Sequence, residues 1–205
     1  GDDLADACDC KLRVACSGGE PLNPEVIRWV ADHLGCPVGD HYGQTEVGMV
    51  ICNHHGLSHA MRPGSMGKAV PGFRIVILDG NFEEVAPGGS GQIAIDTANS
   101  PLYHFQGYRG GAESPLHGDY FLTGDTAELG EDSIFTFMGR ADDVILSAGY
   151  RIGPFDVESC LIEHPAVAES AVIGKPDAER GEIVKAFVVL RAGHNGSPEL
   201  ADELR

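Results

Sequence analysis

His41-Tyr42-Gly43-Gln44-Thr45-Glu46 closes one strand and opens a turn, and the fold is read outward from it. Upstream lie a strand-like run, Leu12-Arg13-Val14-Ala15, and a glycine turn, Ser17-Gly18-Gly19-Glu20-Pro21. An amphipathic helix then starts at Pro24 and carries Val26, Ile27, Val30 and Leu34 on one face. The second strand ends at Tyr42, giving the α/β alternation from which layered sheets are built. Ligands collect at strand ends in such sheets, so a hydroxyl (Thr45) and a carboxylate (Glu46) just past the end are binding candidates. An ordinary strand-end turn would carry the same residue types.

From Gly64 to Gly139 the apolar residues come in short β runs, such as Phe73-Arg74-Ile75-Val76-Ile77-Leu78 and Gln92-Ile93-Ala94-Ile95, broken by Pro71-Gly72, Asp79-Gly80 and Pro87-Gly88-Gly89. This predicts a small β-barrel or curled sheet. Beyond Asp142, a helix over Pro154 to Ile162 and strands over Val167–Ile173 and Val184–Leu190 predict a small α+β unit. The expected domains are therefore 1–63, α/β sheet; 64–141, β-barrel subdomain; and 142–205, α+β domain.

Composition narrows the partners. Lys+Arg 14 against Asp+Glu 31 gives a formal charge of -17, which repels nucleic acid. The same field opposes any other polyphosphate unless Arg140, Arg151 and a divalent cation compensate locally. The six cysteines are Cys8, Cys10, Cys16, Cys36, Cys52 and Cys160; there is no C-x-x-C pair, no apolar leader and no membrane-spanning run, which points to a reduced, cytoplasmic setting. Cys52-Asn53-His54-His55 with His59 offers soft and imidazole ligands, but no second pair stands at zinc-finger spacing, so the stretch reads as a polar loop.

Four polar signatures stand in order along the chain: Gly18-Gly19-Glu20-Pro21, Tyr42-Gly43-Gln44-Thr45-Glu46, Thr123-Gly124-Asp125, and Gly139-Arg140-Ala141-Asp142 leading to Gly149-Tyr150-Arg151. Together they resemble AMP-forming acyl-CoA synthetases of the adenylate-forming superfamily, medium-chain members among them, from about Arg13 onward. The family's phosphate-cradling loop and its C-terminal Pro-Lys-Thr-x-x-Gly-Lys run are not found. The resemblance thus implies a C-terminal part: the last portion of the large domain, its β-barrel subdomain and most of the small mobile domain. Such a chain on its own is not expected to complete adenylate formation.

The resemblance implies a two-step reaction. A carboxylic acid and Mg·ATP give acyl-AMP and pyrophosphate, and CoA then displaces AMP. It implies that Gly19, Glu20 and Pro21 border the adenine, and that His41, Tyr42 and Gln44 belong to the nucleotide site, with Tyr42 offering a flat face. Asp125 would accept from the ribose hydroxyls and Arg140 would add a second ribose contact. Thr45 would touch the α-phosphate, Glu46 would hold Mg²⁺, and Arg151 would offset charge at the α-phosphate as the adenylate forms. Asp142 would be the hinge, and Ala148, Gly149 and Tyr150 would meet CoA. Gly18 and Gly43 stand where acetate-specific members carry Val and Trp, which implies an open acyl pocket for a medium-chain, branched or aromatic acid.

Each position also has a plainer reading: a glycine turn before a helix at Gly18-Gly19, a β-turn aspartate at Asp125, surface ion pairs at both arginines, and a glycine hairpin at Gly149. An adenylation domain that loads a carrier protein would share the nucleotide motifs, and so would a non-catalytic nucleotide-binding module.

Overall fold

Strand β1 (Ala15–Gly18), helix α1 (Pro24–Leu34) and strand β2 (Val38–Gln44) form a βαβ unit, with β1 and β2 parallel and Gly18 opposite His41. The helix is set by its ends. Asn23 caps it, its side chain accepting from the Glu25 N–H at 2.8 Å, and Gly35 stops it in the left-handed region at φ 63°. The computed structural model describes residues 12–56, 59, 61–62, 64–110 and 114–205; Cys8 and Cys10 lie outside them.

The expected strand at Leu12–Ala15 lies further on, because pairing with β2 spans Ala15 to Gly18. Strand β2 also runs two residues past Tyr42, to Gln44, where antiparallel pairing with β3 (Gly48–Cys52) begins. Next come β4 (Ser65–Ala69), β5 (Ile75–Leu78), β6 (Ser90–Asp96), β7 (Leu116–His117), β8 (Tyr120–Leu129) and β9 (Phe135–Arg140). All nine strands belong to one sheet, ordered β1-β2-β3-β4-β9-β8-β6-β5 with β7 on β8.

This order is open, with β5 at one end and β1 at the other, so the strands expected to form a barrel close no ring among the described residues. They continue the α/β sheet because β3 and β4 pair through Ile51↔Ala69 and Cys52↔Lys68. Curvature enters at register shifts in β2–β3, β4–β9 and β6–β8. A smaller cluster gathers Val76, Leu78 and Ala94, and the larger core under the sheet holds Val50, Ile51, Ile77, Ile93, Ile95 and Phe121, all essentially solvent-free. Burying each such side chain contributes about 1.5–3 kcal/mol.

The described residues divide into two compact units between 137 and 138, within β9. In the second unit, β10 (Ile145–Ser147), β11 (Tyr150–Ile152), β12 (Val167–Asp177) and β13 (Gly181–Leu190) form a sheet ordered β11-β10-β13-β12. Helix α2 (Pro154–Ile162) packs on it through a core of Ile145, Leu161 and Val172. A short α3 (Pro198–Glu203) follows, capped by Ser197. Its helix and two long strands stand where the sequence suggested a helix and two strands, the strands extended into one hairpin. No described helix is long and apolar enough to cross a membrane.

Candidate nucleotide site

The β2–β3 hairpin presents the His41–Glu46 run. Val47 turns into the core, and its N–H donates to the Gln44 carbonyl at 3.1 Å. This leaves Thr45 exposed and Glu46 half-exposed at the tip. Gly48, at φ 72°, closes the turn in a conformation suited to glycine. Gly43 is required for a different reason: the strands approach so closely at their bulge that a Cβ there would overlap the Gly48 carbonyl.

Asp125 reaches the same place from β8. Across β6 and β8, Gln92 pairs with Thr126 and Ala94 with Leu122, so Thr123, Gly124 and Asp125 bulge opposite Ile93 alone. Gly124 absorbs the bulge at φ 76°, and the Thr123 hydroxyl donates to the Ile93 carbonyl at 2.9 Å while accepting from the Asp125 N–H at 3.2 Å. Asp125 is thus neither a turn residue nor exposed; it is 6% accessible.

Two motif side chains converge on it. The Tyr42 hydroxyl donates to Asp125 Oδ2 at 2.6 Å, and Gln44 Nε2 donates to the same oxygen at 2.9 Å and to the Thr123 carbonyl at 2.8 Å. These partners lie about eighty residues apart in sequence. Tyr42 also packs toward Phe137, ring centres 6.5 Å apart, so part of its surface is already covered.

The glycine turn lies beside this strand. A Cβ on Gly18 would stand 3.0 Å from the His41 carbonyl and 3.5 Å from Met49 Cε, and Gly19 follows at φ 102° with open space around it. Glu20 is exposed and Pro21 half-buried. The chain is tied down just past them, where the Leu22 N–H donates to Asp40 Oδ2 at 3.3 Å. Burial pushes the Asp40 carboxyl above its ordinary range. His41 is held below the usual imidazole value, first by burial and then by His54 and His55, and its buried Nε2 has no hydrogen-bond partner among the described residues.

At the hairpin tip, Glu46 Oε1 accepts from the Tyr108 hydroxyl at 2.9 Å. Glu46 is a single carboxylate, and no three His, Cys, Asp or Glu side chains gather at a metal-holding distance among the described residues. This donor set fits Mg²⁺, which characteristically takes one or two protein carboxylates plus phosphate oxygens and water. It does not fit zinc, which needs three or four closely set protein ligands. In the Cys52–His59 stretch, His54 and His55 stack on each other and His59 Nε2 meets Asn53 Oδ1 at 3.2 Å, while Asn53 also bonds the Ser65 carbonyl.

The second unit carries the remaining motif residues on its surface. Arg140 Nε donates to Asp142 Oδ1 at 3.2 Å, both side chains being largely exposed. Ala148 (φ 49°) and Gly149 (φ 87°) form the two-residue turn of the β10–β11 hairpin. Tyr150 is 74% accessible and Arg151, opposite Leu146 in the hairpin, is exposed. Sequence reading did not single out Thr123 as a strut, nor Tyr108. Gly107 and Gly110, on either side of Tyr108, both stand at positive φ.

The βαβ edge thus brings a strand end against a buried, hydrogen-bonded aspartate. The chain belongs to the AMP-binding enzyme family, which it matches over residues 4–108, and residues 156–205 match the AMP-binding enzyme C-terminal domain. It is 48% identical over 185 residues to the mitochondrial acyl-coenzyme A synthetase ACSM4 of Homo sapiens, covering 88% of this chain and 32% of that protein. The crystal structure of the Brucella canis acyl-CoA synthetase superposes with a TM-score of 0.69 at 57% identity, covering 100% of this chain and 38% of that one. An anthranilate CoA ligase in complex with anthranoyl-AMP superposes at 0.77 with 31% identity, covering 94% of this chain and 37% of that one. The chain therefore spans about a third of the length of these relatives.

Proposed function

We propose that this chain works within an AMP-forming acyl-CoA synthetase, which joins a carboxylic acid to CoA through an acyl-adenylate. The observation that carries this reading is the convergence of Tyr42 and Gln44 on Asp125 Oδ2. Three residues that the family resemblance assigns to the nucleotide come together from two distant segments. In support, a relative 31% identical holds anthranoyl-AMP.

In this reading residues 1–63 belong to the large α/β domain, 64–141 are its curled β subdomain, and 142–205 belong to the small domain, which turns about Asp142. Gly19, Glu20, Pro21 and His41 border the adenine. Asp125 and Arg140 take the ribose, Thr45 and Arg151 the α-phosphate, and Ala148, Gly149 and Tyr150 receive CoA. Glu46 would hold Mg²⁺, which supplies charge neutralisation at the phosphates. Thr45 contributes a hydroxyl that orients a phosphate oxygen, and Arg151 a permanent cation where negative charge develops.

Gly18 and Gly43 belong to the proposed acyl wall, and they call for different tests. A side chain at Gly43 must move the Gly48 backbone, which it would overlap, whereas one at Gly18 needs only a few tenths of an ångström from the His41 carbonyl and the flexible end of Met49. Gly18→Val is therefore the cleaner probe of an acid longer than acetate.

The decisive experiment incubates the full-length protein with ATP, Mg²⁺ and acids of increasing length, with and without CoA. Acid-dependent pyrophosphate release followed by CoA-thioester formation is expected. Pyrophosphate release without a CoA thioester would point instead to a carrier-protein acceptor. ATP binding with no pyrophosphate release for any acid would leave a non-catalytic module.

A further inference from the structure

The carboxylates of the first unit are held in different ways. Glu84 and Asp96 are fixed by a cation: Arg74 donates to both Glu84 oxygens at 2.6 Å and to Asp96 Oδ2 at 2.7 Å. Their charge is spent on the arginine, although a phenol also reaches Glu84, the Tyr120 hydroxyl donating to its Oε1 at 2.8 Å. Glu46 is fixed by a neutral phenol, the Tyr108 hydroxyl donating to its Oε1 at 2.9 Å from 62 residues away. A neutral donor orients a carboxylate without cancelling its charge, which a cation site requires and a structural ion pair does not.

The phenol is itself anchored. Phe105 packs edge-on against the core ring of Phe121 at 5.6 Å, and Tyr108 packs edge-on against Phe105 at 5.0 Å. Gly107 and Gly110, at φ 120° and 96°, bend the chain on either side of Tyr108. A line of contacts thus runs from the core through two rings to the tip of the β2–β3 hairpin. Without it, ordering a half-exposed glutamate on a turn for its ligand would cost free energy.

We propose that Tyr108 is a positioning residue for Glu46, holding its carboxylate ready for a magnesium-bound triphosphate. This rests on the nucleotide-site reading above. It also assigns a task to the Gly107-Tyr108 segment, which lies outside every motif read from the sequence.

The test separates the metal from the nucleotide. ATP binding to the full-length protein is measured by equilibrium dialysis, once in EDTA and once in saturating Mg²⁺. Wild type is expected to bind ATP more tightly with Mg²⁺. Tyr108→Phe keeps the ring contact with Phe105 and loses only the hydroxyl. Its affinity in EDTA should be unchanged, while the tightening conferred by Mg²⁺ should shrink by roughly three- to tenfold, the loss expected for one typical, solvent-exposed hydrogen bond. Glu46→Gln should abolish the Mg²⁺-linked gain and make Tyr108→Phe silent in the double variant. Full tightening in Tyr108→Phe would overturn the inference, as would an equal loss with and without Mg²⁺, the mark of a merely structural contact. Absence of ATP binding by wild type in both conditions would overturn the nucleotide-site reading and this inference with it.

Discussion

Asp125 and Asp142 are both motif aspartates, and the two units treat them oppositely. Asp125 is buried in a bulged strand and accepts from Tyr42 and Gln44 across about eighty residues of sequence. Asp142 has a 73% accessible side chain and meets Arg140, two residues away. A site residue in the first unit is thus also part of what holds that unit together. In the second unit the motif residues sit on a surface whose core, Ile145, Leu161 and Val172, does not depend on them. Substitutions in the two units should therefore separate: stability and binding lost together in the first, binding alone in the second.

The largest effect is expected at Asp125. Asp125→Ala removes the oxygen that the Tyr42 hydroxyl and the Gln44 amide share, while the Gln44 amide keeps the Thr123 carbonyl; each hydrogen bond lost to a charged group costs roughly 1.5–3 kcal/mol. The first unit should lose about 2–4 kcal/mol, read by hydrogen exchange of the β8 amides, and ATP binding should fall by about two orders of magnitude or more. Unchanged exchange with lost binding would show that Asp125 serves the ligand alone.

An intermediate effect is expected at Gly43. A methyl group there overlaps the Gly48 carbonyl, so Gly43→Ala must spread the β2–β3 hairpin. Overpacking of this kind costs about 1–3 kcal/mol. The destabilisation should appear with no ligand present, in the unfolding transition of the full-length protein. Full stability would mean that the hairpin yields easily, and Gly43 would then return to being a position that only shapes the acyl pocket.

Much of this was legible in the residues. Helix α1 announces itself through Asn23-Pro24 and Gly35, and α2 through Pro154, because capping is local chemistry. The residues at the site were legible as types, since Tyr42, Gln44 and Asp125 all lie within recognisable runs. Their mutual hydrogen bonds were not, because those depend on which strands become neighbours, and the order places β9 between β4 and β8. For the same reason the curled region read as a barrel: short β runs fix strand number and turn position but not whether the last strand meets the first. Tyr108 was missed because one phenol outside any motif carries no signal until Glu46 is found beside it.

The smallest expected effect on stability is the one that most sharpens the contrast. The Arg140–Asp142 pair is exposed and spans one turn, whose closing bond runs from the Asp143 N–H to the Arg140 carbonyl at 3.2 Å. Exposed pairs of this kind contribute about 0–1 kcal/mol, and the turn's backbone bond survives loss of either side chain. Asp142→Ala should therefore shift the unfolding transition of the full-length protein by less than about 0.5 kcal/mol, while freeing Arg140 from the carboxylate it now meets. If Asp142 is the hinge, the two half-reactions should respond unequally: acid-dependent pyrophosphate release and thioester formation would change by different factors. Equal change in both, at full stability, would remove the hinge role. A large loss of stability would instead make Asp142 a structural residue like Asp125, and the division between the two units would no longer hold.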